Sequence, residues 1–397
     1  MNAAHSSTDT ARFDALVVGG GIAGLWTLNR LQSAGYSALL VEAGSLGQDQ
    51  TLASQGMIHG GLKYALRGQL TGASEAIAAM PERWRACLAG TGEVDLSALQ
   101  PRSEHYYLFA QASTLGKLTT FFASKSLRGR IDKLRSQDHP EAFKQGGSAF
   151  NGVVYQLNDF VLDTPSLLER LRANVSERMF QVPVADKQLT LGEEGVTLTT
   201  AGVRIEAARL ILTAGAGTEA LLQGLGLSAP RMQRRPLHQV IVRHQHPLPL
   251  YAHCLTGIRR SEPRLTITSH PDGDHWLWYL GGQIATDGVE RDASAQCAFA
   301  RAELNACVPW LDWQDAEIEC LTVDRAEPAT DGGSRPDQAF VHVQDQVITG
   351  WPTKLSLVPD LGDQIMAALP APRSAVSAPL PQWPLATVGA VPWAAHP

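Results

Sequence analysis

Three glycines and a glutamate carry the clearest chemistry in the chain. Gly19, Gly21 and Gly24 form a GxGxxG turn, and Glu42 follows Gly19 by 23 residues. In such a turn the first glycine permits the tight bend, the second lets a pyrophosphate approach the backbone, and the third lets the following helix pack closely. A carboxylate about 20 residues on accepts the two ribose hydroxyls of an adenosine half and repels a 2′-phosphate. A lone GxGxxG also arises for packing alone, but here every flanking element is present. The strand FDALVV leads into the turn, the helix AGLWTLNRLQSAG follows with Leu25, Leu28 and Leu31 on its buried face, and SALLVE forms the second strand. Phe13 to Glu42 therefore reads as a βαβ unit that binds a dinucleotide.

The elements beyond this unit decide which dinucleotide. An NAD domain continues directly into further βα units, whereas here the run TLASQGMIHGGLKY, residues 51 to 64, follows instead. Its glycines and small hydroxyl residues suit a backbone lying against a flat ring. Much later, ARLILTAGAG (Ala208 to Gly217) reads as a buried strand entering a glycine turn, and ITGWPTKLSLVPDLGDQI (Ile348 to Ile365) as strand, loop and helix. Three separated segments pointing at one cofactor favour FAD, held non-covalently. His59, in the glycine-flanked loop expected beside the isoalloxazine, is a candidate base, with a purely structural hydrogen bond as its alternative. Lys354, before the last helix, is placed to stabilise negative charge on the reduced ring and to touch substrate.

These four segments, VVGGGIAGL with Glu42, SQGMIHGGLKY, ILTAGAG and PTKLSLVPDLG, occur in an order that resembles the D-amino-acid oxidase and glycerol-3-phosphate dehydrogenase superfamily of FAD-dependent oxidoreductases. The resemblance covers nearly the whole chain. SQGMIHGGLKY is most similar to the glycerol-3-phosphate dehydrogenase branch, although Lys63 and Tyr64 stand where that branch has an Arg-Tyr pair, and that branch's long C-terminal extension is missing. The resemblance implies a flavin domain assembled from residues 1–97, 162–230 and 322–397, with a substrate domain from 98–161 and 231–321. The fold class is α/β: a Rossmann-like FAD domain with an inserted α+β domain on a mixed, mostly antiparallel sheet. It implies a cofactor set of Gly19, Gly21, Ile22, Ala23, Gly24, Glu42, Ala43, Ser54, Gln55, Gly56, Met57, Val184, Ala214, Gly215, Thr353, Lys354 and Leu355. It also implies that Arg325 binds the substrate's anionic group, with a salt bridge to Asp324 or Glu327 as the alternative, and that His238 lies in the substrate pocket. Lys63 and Tyr64 would add charge and a hydroxyl from the opposite side.

The patterning of the remaining chain agrees with such an architecture. LLERLRA, within Thr164 to Arg172, is helical, Phe180 to Ala185 is a strand, and EHYYLFA, HQVIVRH and HWLWYLGG read as strands of the insert. Helices near Leu115 to Leu127 and Ala293 to Ala306 are expected on that sheet's outer face. Trp276, Trp278 and Tyr279 read as sheet core. His244, His246 and His253 lack an acidic partner at metal-binding spacing and are expected mostly at the surface. The Pro/Ala-rich tail after Pro370 reads as loop, edge strand or disorder.

Composition bounds the function. With 33 Lys plus Arg against 39 Asp plus Glu, the net charge of −6 argues against a nucleic-acid partner. No stretch approaches the ~20 apolar residues of a membrane span and the N-terminus lacks a secretory core, so a cytoplasmic protein is expected. Five cysteines without a CxxC pair suggest reduced thiols and no zinc or other metal. The expected function is oxidation of a C–H bond next to an amine or hydroxyl in a small anionic substrate, by a protein read as a monomer, with the electron acceptor open. The alternatives are an FAD-binding redox sensor without turnover and a flavoenzyme that modifies a macromolecule.

Overall fold

The computed structural model describes residues 11–61, 76–115, 131–145, 150–183, 188–200, 203–246, 248–255, 262–373 and 379–394. The runs FDALVV, ALLVE and ARLIL are almost unbroken apolar stretches, the pattern of parallel strands covered on both faces. They lie side by side in the first of two large sheets. From edge to edge this sheet runs Phe340–Gln344, Val347–Trp351, Val203–Leu212, Ala11–Val18, Ala38–Glu42 and Met179–Gln181. Pairing is parallel from Val347–Trp351 through to Met179–Gln181. A hairpin, Gln188–Gly192 and Gly195–Thr200, adds to Val203–Leu212 in the antiparallel sense.

Alternate side chains of these strands feed two cores. Ala15, Val17, Leu40 and Ile211 pack against Leu25 and Leu28 of the helix Ile22–Ser33, Leu167 and Leu171 of Thr164–Asn174, and Leu361 and Ile365 of Val358–Ala367. Leu16, Val18, Leu39 and Leu210 face the other way, towards Val196 and Leu198 of the hairpin. Helix Thr164–Asn174 begins as its sequence dictates: Asp163 accepts the Ser166 N–H at 3.1 Å and Pro165 occupies the first turn. Gly362 lies where the last helix meets the first, and a Cβ there would stand 3.0 Å from the Trp26 ring, which would have to shift to admit it.

The second sheet is mixed and mostly antiparallel. Its order is Glu317–Pro328, Met232–His244, His275–Gly281, Leu265–Asp272, Ala252–Cys254, Tyr106–Gln111, Gly152–Leu157 and Ile131–Lys133. Only Ala252–Cys254 and Tyr106–Gln111 run parallel. The helix Ala293–Cys307 covers its outer face, where Ala300 and Leu304 pack on Val240, Val242 and Trp278. The expected helix at Leu115 to Leu127 lies outside the described residues beyond Leu115, where a short helical turn, Ala112–Leu115, ends. Among the described residues no helix is long and apolar enough to cross a membrane.

One expectation changes. His244 is not a surface residue: it is buried, packed edge-on against Trp278 and Trp313, while His246 and His253 are half-buried. His244 shares the face of Val240 and Val242, which the covering helix buries. The C-terminal tail, expected as loop, edge strand or disorder, is loop with two isolated bridges among its described residues. Leu385 bridges to Phe180 and Val388 to Leu46, and Trp393 packs against His270 and Tyr279 on the inner face of the second sheet.

Candidate flavin and substrate site

The strand Ala11–Val18 delivers the chain into a turn that only glycine can make. Gly19 has φ +111°, and a Cβ there would stand 2.6 Å from the backbone of Ala214. At Gly24 a Cβ would lie 1.9 Å from the Gly19 carbonyl oxygen, so this glycine lets the helix sit directly on the turn. Gly21 differs: a Cβ there would meet only Thr51 Oγ1, at 3.3 Å, and would otherwise project into open space beside the helix N-terminus. The Ile22 N–H donates to Thr51 Oγ1 at 3.1 Å, and the N–H groups of Ala23 and Gly24 take no partner among the described residues. Free donors at the positive end of a helix, beside a position kept clear of side chains, fit a pyrophosphate. Glu42 stands next to them, its carboxylate accepting N–H groups of Gly20 at 2.5 Å, Ala43 at 2.6 Å and Gly44 at 2.9 Å.

The other segments converge on this turn. Thr213 Oγ1 donates to the Gly19 carbonyl at 3.2 Å, which brings Ala214 and Gly215 against the first glycine. Thr353 has φ +60° and its hydroxyl donates to Gln338 O at 2.9 Å, which sets the start of the last helix against the His59 loop. There Ser356 Oγ accepts the His59 N–H at 2.9 Å. Gly56, at φ +66°, leaves no room for a Cβ beside Leu162 O, and the short strand Met57–Ile58 pairs with Phe160–Val161. Asp159 then accepts the Gly60 N–H at 2.9 Å. Met57 to Gly61 is thus clamped from two sides. Neither Asp159 nor Ser356 stood out in the sequence.

Several side chains do something other than the sequence suggests. Gln55 turns to the second sheet, donating to Thr266 O and Tyr279 O on two of its adjacent strands, each at 3.0 Å. His59 Nδ1 accepts the Gly61 N–H at 3.2 Å, so the lone pair of the neutral ring is engaged and the ring proton sits on Nε2. Lys354 is buried, with its ammonium donating to Asp337 O at 3.1 Å and Pro336 O at 3.3 Å. His238 lies on the wrong face for a pocket. It shares the parity of Val240 and Val242, on the helix-covered outer side, and its Nδ1 bonds Gly288 O at 3.0 Å. Lys63, Tyr64 and Val184 lie outside the described residues.

On the inner face of the same strands a cluster of arginines stands out. Arg325 and Arg235 are register partners on adjacent strands. Arg235 is held bidentately by Glu327, at 2.7 and 3.0 Å, and Glu327 is fully buried. Asp324 pairs with Arg234 instead. Arg325 forms no ion pair among the described residues, and its one protein bond is a long contact of 3.4 Å to Arg235 O. Burial first, and then repulsion from Arg235 and Arg335, pushes its guanidinium down to about 10. Arg335 completes the group, 3.8 Å from Glu262, with its Nε buried and unpartnered. Three guanidiniums with two nearby carboxylates form a site short of negative charge, and an anion would relieve it. The sequence singled out Arg325 alone; the doublet Arg234–Arg235 before His238 was the available signal for the second.

A Rossmann-like sheet with a glycine cradle, joined to an arginine-bearing antiparallel sheet, defines a flavin-dependent oxidoreductase. The chain belongs to the DAO family, described as FAD dependent oxidoreductase, which matches residues 14–346. It is 49% identical over 375 residues to the probable FAD-dependent oxidoreductase PA4991 of Pseudomonas aeruginosa, covering 94% of this chain and 95% of that one. The crystal structure of PA4991 aligns with a TM-score of 0.82 and 43% identity over 97% of this chain and 98% of that one. More distant likenesses show the shared fold. Glycine oxidase from Geobacillus kaustophilus aligns at TM-score 0.63 and 18% identity, over 95% and 99% of the two chains. The L-alpha-glycerophosphate oxidase from Mycoplasma pneumoniae, with FAD bound, aligns at 0.65 and 13%, over 96% and 97%. This chain is therefore an FAD-dependent oxidoreductase of α/β architecture.

Proposed function

We propose that the enzyme oxidises the C–H bond beside the nitrogen of a small carboxylate-bearing amine, with FAD held non-covalently. The observation that carries this reading is Arg325, a guanidinium that forms no ion pair among the described residues and stands beside two further arginines. Bound flavin supplies the hydride acceptor. The chain's own residues supply the rest: Gly21, Ile22, Ala23 and Glu42 hold the dinucleotide, residues 57–61 and 353–356 border the ring, and Arg325 fixes the substrate's anionic end. An alcohol donor needs a base to take its hydroxyl proton, whereas an amine that has already lost its proton does not. The engaged Nδ1 of His59 and the outward position of His238 therefore favour the amine. Two distant relatives in fold are named as glycine oxidase and iminodiacetate oxidase, which supports the same class.

The two-domain division belongs to this reading, with one boundary moved. Glu317–Pro328 pairs with Met232–His244 along its whole length, so the return to the flavin domain is placed after Pro328. A cytoplasmic monomer remains the setting we propose. The test is anaerobic mixing of the purified protein with panels of amino and imino acids, 2-hydroxy acids and phosphorylated alcohols while following the visible flavin band. Bleaching is expected with the first panel; bleaching confined to hydroxy acids or phosphorylated alcohols would overturn the proposal.

A further inference from the structure

Four of the five cysteines lie in the second sheet and its covering helix, and they fall into two pairs. Cys254, on Ala252–Cys254, neighbours Cys307 at the end of the helix Ala293–Cys307. Both are buried. Near the start of the same helix Cys297 faces Cys320 on Glu317–Pro328, and the two sulfurs are 3.0 Å apart. These two are half-buried and reach solvent. One pair is sealed from oxidants, and the other is within about 1 Å of bonded separation and open to them.

We propose that Cys297 and Cys320 form an oxidisable dithiol site that takes a hydroperoxide as reactant and becomes a disulfide. In the first step the Cys297 sulfur attacks the peroxide O–O bond. The bond breaks, Cys297 becomes a sulfenic acid, and one water leaves when hydrogen peroxide is the reactant. In the second step the Cys320 sulfur displaces the sulfenic hydroxyl, which leaves with the Cys320 proton as a second water. Two thiols lose two electrons and the peroxide gains them. The disulfide is the same whichever sulfur attacks first; burial and then the neighbouring sulfur raise the Cys320 thiol, which favours attack by Cys297. The product ties the covering helix to the edge strand of its sheet, the strand that also carries Arg325.

The test treats FAD-loaded protein with a few equivalents of hydrogen peroxide, blocks free thiols by alkylation, and maps peptides without reduction. Trypsin leaves Cys307 and Cys320 in one fragment, residues 302–325, so a glutamate-specific protease must be added to part them at Glu317 and Glu319. The expected result is a cross-linked pair containing Cys297 and Cys320, reversed by dithiothreitol, with Cys254 and Cys307 reduced. Cys297→Ser should leave Cys320 alkylatable after the same treatment, and Cys320→Ser provides the reciprocal check should the first variant lose its flavin. Either pair member remaining alkylatable in the wild type would overturn the proposal. So would separate oxidation of the two sulfurs, or a link at Cys254 or Cys307 instead.

Discussion

Arg325 stands directly across from Arg235 on the neighbouring strand, yet the buried Glu327 grips only Arg235. Two like charges are thus held side by side with one carboxylate between them. Removing either partner has a different outcome. Arg325→Ala should weaken a carboxylate inhibitor by about 1.5–3 kcal/mol, the usual worth of a charged hydrogen bond, with flavin content unchanged. Titration of the flavin spectrum with the inhibitor reads this directly, and an unchanged curve would make the guanidinium structural. Lys63→Ala should cost less.

Glu327→Gln acts on the fold. It leaves the half-buried Arg235 without its charge partner, a change that should cost less than the about 3–5 kcal/mol of a fully buried pair. Chemical denaturation should show a lower midpoint while Arg325 still binds the inhibitor. Equal midpoints in the variant and the parent would show that Arg235 finds another partner.

The glycines of the turn separate two roles that sequence alone runs together. Gly21→Val should fold and lose FAD, because its side chain would enter the space beside the free N–H groups without striking protein backbone. Gly24→Ala should damage the fold itself, since its Cβ would fall 1.9 Å from the Gly19 oxygen. Circular dichroism and flavin content, measured together, distinguish the two. A Gly21→Val protein purified with full flavin would refute the pyrophosphate placement.

What could be read from the sequence was local. The βαβ unit is 30 contiguous residues whose glycines, strands and carboxylate constrain one another, so its geometry follows from spacing. The converging segments 213–215 and 353–356 were legible through their strand-to-turn patterns. His238 was placed in the pocket by resemblance alone, and the buried run Val240, Ile241 and Val242 carries no mark of which face meets the pocket that could have checked it. The pairing of Arg235 with Arg325 depends on register between segments 90 residues apart, which no local pattern fixes. Trp383 and Trp393, both packed on the fold, were the available signal in the tail that its residues dock.

His59 offers a sharp choice between base and scaffold. Asparagine can accept the N–H two residues on, as His59 Nδ1 accepts that of Gly61, but cannot serve as a base near neutral pH. His59→Asn should therefore keep kcat within about tenfold of the parent, whereas loss of a general base costs about 10²–10⁴-fold. The measurement is anaerobic flavin reduction by the best substrate, across pH. A hundredfold loss with a vanished pH limb would restore His59 as the base.

Buried histidines set the response to acid. Burial pushes His244 down to about 3, with His246 and His275 adding repulsion, and burial with Arg102 pushes His270 down to about 4. Both rings stay neutral in the folded protein at pH 5, while the unfolded chain titrates near 6.5. Between these values the unfolded state binds more protons, so stability is full above about pH 6.5 and falls as pH drops towards the folded pKa values. The loss should reach about 2 kcal/mol per histidine by pH 5, at ~1.4 kcal/mol for each pH unit. His244→Gln removes that titration while keeping an acceptor for the His246 N–H, which His244 Nδ1 accepts at 3.1 Å. Its own cost cancels when each protein is compared with itself at pH 7 and pH 5 by urea unfolding. The variant should lose less stability on acidification than the parent by roughly the share of one histidine. Equal losses in the two proteins would show that His244 takes up its proton without unfolding.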